Sequence, residues 1–112
     1  MSECLFCRIV SGEIPSKQVY SDERIYAFHD IAPKAPTHVL VVPRRHLPRL
    51  SDAGADDRAL LGDVVAGAAK VARDLGLEHY RLVVNNSEGA GQTVFHLHVH
   101  LLGGRPMAWP PG

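Results

Sequence analysis

Residues 56–76, DDRALLGDVVAGAAKVARDLG, carry the longest run of helical periodicity in the chain. Leu60, Leu61, Val64, Val65, Ala68, Val71, Ala72 and Leu75 recur at intervals of three and four and predict one apolar face. Asp56 and Asp57 suit the amino end of a helix dipole, and Gly76 is placed to stop it. Gly62 and Gly67 lower the intrinsic propensity, so packing must hold this helix. A shorter helix is expected over residues 4–10, ahead of Gly12 and Pro15. The stretches IYAFHD, HVLVVP, YRLVVNN and TVFHLHVHLL read as extended and run into Pro-, Asn- or Gly-rich turns. One long helix supplies too few crossovers for a doubly wound parallel sheet. The expectation is α+β, with a mostly antiparallel sheet covered on one face by the long helix.

A chain of 112 residues allows a single domain with one core. Its twelve basic and twelve acidic side chains cancel without forming runs. No electrostatic case for a nucleic-acid partner or a membrane surface follows. No stretch approaches the roughly 20 apolar residues that span a bilayer. The opening MSECLFCRIVSGEIP carries acids and lacks the layout of a secretory signal. Two cysteines then read as cytosolic thiols or metal ligands, and a soluble cytoplasmic protein is expected.

His96, His98 and His100 alternate within TVFHLHVHLL. On a helix His98 would point away from the other two, and a zinc-protease motif would need glutamate where Leu97 stands. On a strand the three imidazoles share one face, roughly 6.6 Å apart, and Phe95, Leu97, Val99 and Leu101 share the core side. The strand geometry is expected. Just upstream, NNSEGAGQT supplies glycines that let backbone approach a ligand, and N–H groups able to nest an anion. Loop and histidines together point to phosphate chemistry.

The run from His96 to Leu102 fits the pattern His–apolar–His–apolar–His–apolar–apolar. With AFHDIAPKAPTHVLVVPRRH, NNSEGAGQTVFHLHVH and LLGGRPMAWPPG, it resembles the histidine-triad (HIT) superfamily, in particular its Hint branch of purine nucleoside phosphoramidases. The resemblance spans nearly the whole chain. It implies a single HIT domain over residues 1–112 with about five strands, and a tail, residues 103–112, contributing to a homodimer and its active site. It assigns His98 as nucleophile and His100 as the group assisting the leaving group. His38 supports the triad, and His96 orients it. Asp30 matches the acid on the ribose; Leu5, Phe6, Ile9, Phe28, His29 and Ile31 match the walls of the base pocket. Asn85, Gly91, Gln92, Thr93 and Val94 match the nucleotide-binding loop, with threonine where many relatives carry serine. Trp109 is assigned to the partner subunit's pocket.

Cys4-x-x-Cys7 has ligand spacing but is weak alone. By resemblance His46 and His96 complete a structural zinc site; the alternative is two reduced thiols packed on the first helix. No catalytic cofactor is implied. The expected activity is hydrolysis of purine nucleoside 5'-phosphoramidates through a nucleotidyl-histidine. A dinucleoside polyphosphate hydrolase and a non-enzymatic, zinc-dependent nucleotide-binding module remain alternatives.

Overall fold

The structure, a computed structural model, describes residues 3–112. In chain order it contains α1 (Leu5–Val10), β1 (Gln18–Ser21), β2 (Ile25–His29), β3 (Thr37–Pro43), α2 (Arg58–Asp74), β4 (Tyr80–Val83) and β5 (Val99–Gly103). Single 3₁₀ turns lie at Leu50–Asp52, Ala55–Asp57 and Glu88–Ala90. The strands form one sheet in the order β1-β2-β3-β5-β4, antiparallel at every pairing. The expected α+β class is the observed one. Among the described residues no helix is long and apolar enough to cross a membrane.

Helix α2 ends as its sequence suggests. Gly76 adopts φ 74°, its N–H donates to Arg73 O, and Leu77 N–H donates to Ala72 O. These two bonds are the Schellman arrangement that satisfies the last carbonyls. Val64, Gly67, Ala68, Val71 and Ala72 face the sheet, while Val65 and Leu75 are exposed. Gly67 does more than lower propensity. A Cβ there would lie 2.1 Å from Ile25 Cδ1, so glycine lets α2 sit directly on β2.

The long helix covers one face, as expected, and the other face is packed as well. On the α2 side Ile25, Ala27, Val39, Val41, Val99 and Leu101 form the main core. On the other side Phe6 and Ile9 of α1 pack on Tyr26, Phe28, Leu40 and Val42. This two-sided cover explains why β3 is buried along most of its length and reads as an unbroken apolar run. Strand β1 had no counterpart in the sequence reading. It is a short, half-exposed edge strand whose polar residues give little periodic signal.

The histidine strand needs correction. The ladder begins at Val99, so His96 and His98 precede β5 in a bent segment. β3 pairs β5 up to Val41↔Val99. Further along β3, Pro43 has no N–H to donate, and its carbonyl is taken by the His96 ring at 2.7 Å. Leu97 N–H donates instead to Leu47 O. Leu97 is buried, but Phe95 is 41% exposed and does not join the core.

Candidate catalytic cleft and metal centre

Four imidazoles come close together here, and their fixed hydrogen bonds give them different chemistry. His98 Nδ1 lies 2.7 Å from His96 O. A carbonyl only accepts, so the Nδ1 proton is held there and Nε2 keeps its lone pair. Phe6 meets the His98 ring edge-on at 5.0 Å between centroids. Burial pushes the His98 pKa down, against the opposing pull of that hydrogen bond and of Asp30. His98 is thus a neutral imidazole with an exposed lone pair.

His100 has the opposite polarity. In the loop before β3, Lys34 N–H donates to His38 Nδ1 at 3.0 Å, which leaves the His38 proton on Nε2. That proton is donated to His100 Nδ1, 2.9 Å away. His100 therefore keeps its own proton on Nε2. The contact follows from register, since Leu40↔His100 and His38↔Leu102 put the two rings diagonally across one face. Burial, then the neighbouring His98 and His38, push the His100 pKa down to about 4. Burial likewise lowers His38, partly offset by Asp30, whose Oδ2 is 3.5 Å from His38 Nε2.

Two clefts meet at these rings. An inner, apolar one of about 390 Å³ is walled by Phe6, Ile9, Phe28 and Leu40, with Val94 and His98 beside them and Leu5 and Ile31 at its mouth. Ile31 is fully exposed there. An outer cleft of about 500 Å³ is lined by Lys34, Val83, Asn85, Gly91 and Leu102. Asp30, Thr93 and His100 line both. A larger depression of about 760 Å³ lies beyond Asp30 and touches His38, but neither His98 nor His100 lines it. The largest depression is thus not the one that holds the paired imidazoles.

Of the residues matched to the nucleotide pocket, all but His29 and Gln92 line these clefts. His29 alternates away from Phe28 along β2 and borders the larger depression; it does not line the inner cleft. Gln92 is 2% exposed and its amide is fully used. Its Oε1 accepts from Ser87 N–H at 2.8 Å, and its Nε2 donates to Pro48 O and Val94 O. Gln92 holds the loop, including Ser87 at φ 73° and Gly91 at φ 98°. Gln92→Ala should cost about 3 kcal/mol in urea unfolding, because one donor and two acceptors lose their partner in a buried site. Reading the sequence missed Leu40 and Lys34 as cleft residues. Leu40 was legible, being two residues from His38 on the same strand face.

Below His98 lies a second cluster. The ligand atoms of Cys4, Cys7, His46 and His96 all lie within 4.8 Å of one another. His96 Nδ1 is 3.4 Å from each sulfur and 3.2 Å from His46 Nδ1; Cys7 Sγ is 3.3 Å from His46 Nδ1. Pro43 O fixes the His96 proton on Nε2, so Nδ1 offers a lone pair to the centre. Two thiols and two imidazoles at these separations fit tetrahedral zinc. Asp30, His38 and His100 also converge, yet the same test fails there. Lys34 N–H occupies His38 Nδ1, so the His38 proton must stay on Nε2, where it takes up the His100 Nδ1 lone pair and leaves neither ring nitrogen for a metal. The first cluster suits a metal and the second a proton.

Comparison with known proteins agrees with this arrangement. Residues 11–107 match the HIT domain. The chain belongs to the HIT family. An uncharacterised HIT-like protein of Synechocystis sp. is 51% identical over 98% of this chain and 97% of its own length. The crystal structure of a HIT family hydrolase from Legionella pneumophila superposes with a TM-score of 0.95 at 50% identity, covering 98% of this chain and all of that one. A zinc-bound histidine triad family protein from Mycobacterium smegmatis superposes at 0.78 with 35% identity, covering 92% of this chain and 76% of that one.

Proposed function

We propose that this HIT protein is a nucleotide-binding hydrolase that cleaves purine nucleoside 5'-phosphoramidates through a nucleotide covalently held on His98. The observation that carries the reading is the opposed polarity of two adjacent rings: a lone pair on His98 Nε2 beside an N–H on His100 Nε2. A purine ring fits the apolar inner cleft, Asp30 accepts from ribose hydroxyls, and the α-phosphate sits where the clefts meet. Asn85, Gly91 and Thr93 face it from the loop.

In the first step His98 Nε2 forms a bond to the α-phosphorus and the P–N bond to the amine breaks. The new imidazolium keeps its Nδ1–H on the His96 carbonyl, which stabilises the charge. The departing nitrogen needs one proton. The substrate's phosphate and Asp30, both negative, favour proton uptake from solvent by the His38–His100 pair, and His100 delivers it. In the second step water attacks phosphorus, the pair takes back a proton, and the bond to His98 breaks. Products are the amine and the nucleoside 5'-monophosphate. Zinc on Cys4, Cys7, His46 and His96 would supply structural cross-linking, and no catalytic cofactor is needed.

We also read the protein as a homodimer, with the 103–112 tail contributing to the assembly and active site. Strand β4 is an edge with Tyr80 exposed on it and Val84 just past its end, and Trp109, beside Arg81 of β4, is 80% exposed, so the three offer apolar surface for a second copy to cover.

Steady-state comparison of adenosine 5'-phosphoramidate with diadenosine triphosphate tests the substrate class. A higher kcat/KM for the phosphoramidate is expected, and a clear preference for the triphosphate would favour a dinucleoside polyphosphate hydrolase. Tight nucleotide binding without turnover would favour a binding module. A histidine NMR titration tests the proton relay. His100 should titrate at about 4 in the free protein and move upward with AMP bound, since an anion beside it favours the charged ring. Because the folded pKa lies below the unfolded value of about 6.5, this burial also costs stability as pH falls from 6.5 towards 4.

A further inference from the structure

Charge cancels over the whole chain, but not around the outer cleft. Lys34 lines that cleft, and its Nζ donates to Ala32 O at 2.7 Å. Arg105 Nη2 donates to Lys34 O at 3.1 Å. Arg81 donates to Ala108 O at 2.9 Å and places its guanidinium 5.7 Å from the Trp109 ring. Register sets Arg81 opposite Leu102, and Leu102 opposite His38, so Arg81 stands at the cleft's edge on the His38 face. The partners named here are carbonyls and a ring, which leave the positive charge uncancelled. None of the three cations belongs to an ion pair among the described residues. The acid lining the cleft is Asp30, at the end shared with the nucleoside.

The order of groups along the two clefts gives this charge a role. The nucleoside fills the inner cleft and the phosphorus sits at the junction. Whatever leaves the phosphorus must therefore occupy the outer cleft, past His100, beside Lys34. We infer that the outer cleft selects a leaving group bearing a negative charge, held by Lys34 and Arg81. This deepens the reading given under Proposed function and rests on it. Two sources share that chemistry: an amine carrying a carboxylate, such as an amino acid joined through nitrogen to the nucleotide phosphate, or a phosphate chain. The bond broken is still the one from phosphorus to the leaving atom, with its proton delivered by His100.

The test uses the full chain and two adenosine 5'-phosphoramidates of equal size, those of glycine and glycinamide, with diadenosine triphosphate as a third arm. Glycine should exceed glycinamide in kcat/KM by about three- to fivefold, the scale of one partly exposed charge contact. Raising salt from about 0.05 to 0.5 M should compress that ratio, because the contact is screened. Lys34→Met should bring the ratio close to one, and Lys34→Arg should keep most of it. If the triphosphate outruns the glycine compound with the same Lys34 dependence, the charge recognised is a phosphate; the outer-cleft inference then holds with that source, while the phosphoramidase reading gives way to a dinucleoside polyphosphate hydrolase. Equal or better cleavage of glycinamide overturns it while leaving the phosphoramidase reading intact. So does a ratio that Lys34→Met leaves unchanged. If neither phosphoramidate is cleaved, the parent reading fails and this inference with it.

Discussion

His98→Ala should lower kcat for adenosine 5'-phosphoramidate by about 10⁴-fold or more, the scale seen when a covalent nucleophile is removed. AMP affinity should change by no more than about threefold, because Phe6, Ile9, Phe28, Leu40 and Asp30 still wall the cleft after the substitution. The asymmetry follows from geometry. His98 contributes one edge contact to Phe6, but it alone brings an imidazole lone pair to the junction of the clefts. His100 cannot take over, because its inward nitrogen carries the proton that the Lys34–His38 chain imposes. Near-normal turnover in His98→Ala would mean the nucleophile lies elsewhere. A parallel loss of AMP binding would mean that His98 holds the pocket together instead of reacting.

Cys4→Ser should abolish a zinc content of about one ion per chain and lower the melting temperature by about 10 °C or more. Stabilisation by a ligand at 100 to 1,000 times its Kd is about 3–4 kcal/mol, and each kcal/mol is worth several degrees in a domain of this size. The reason lies in α1, which spans only Leu5–Val10. So short a helix does not persist alone. Phe6 and Ile9 pack it on the sheet, and the metal would tie its first turn to His96 and to His46 after β3. The same helix walls the inner cleft, and the His96 carbonyl orients His98. Loss of metal should therefore loosen nucleotide binding as well as the fold. Elemental analysis with calorimetry checks the point; equal, negligible zinc in wild type and Cys4→Ser would remove the metal from the account.

Much of this arrangement was legible in the residues. The α2 periodicity and its Gly76 stop carried over directly, as did the extended character of β2, β3 and β4. What escaped depends on tertiary contacts. β1 is an edge strand with too few apolar residues to show a period. The start of β5 is set by Pro43, a residue of another strand. Alternation placed the three triad histidines on one face, yet only His100 lies in the ladder. His96 and His98 owe their directions to carbonyl partners, His96 to that of Pro43 and His98 to that of His96. Gln92 resembles a phosphate ligand by position, but its amide is spent on Ser87, Pro48 and Val94. The ring tautomers were beyond reach of sequence, because each follows from a distant N–H or C=O, and the proposed division between an attacking and a donating imidazole rests on them.

The most direct test is to mix the protein with adenosine 5'-phosphoramidate, quench within the first turnover and locate the adduct by peptide mass spectrometry. Nucleotidyl transfer to the peptide containing His98, absent in His98→Ala, is the predicted result. Turnover with no adduct at any quench time, or an adduct on His38 or His100, would contradict it.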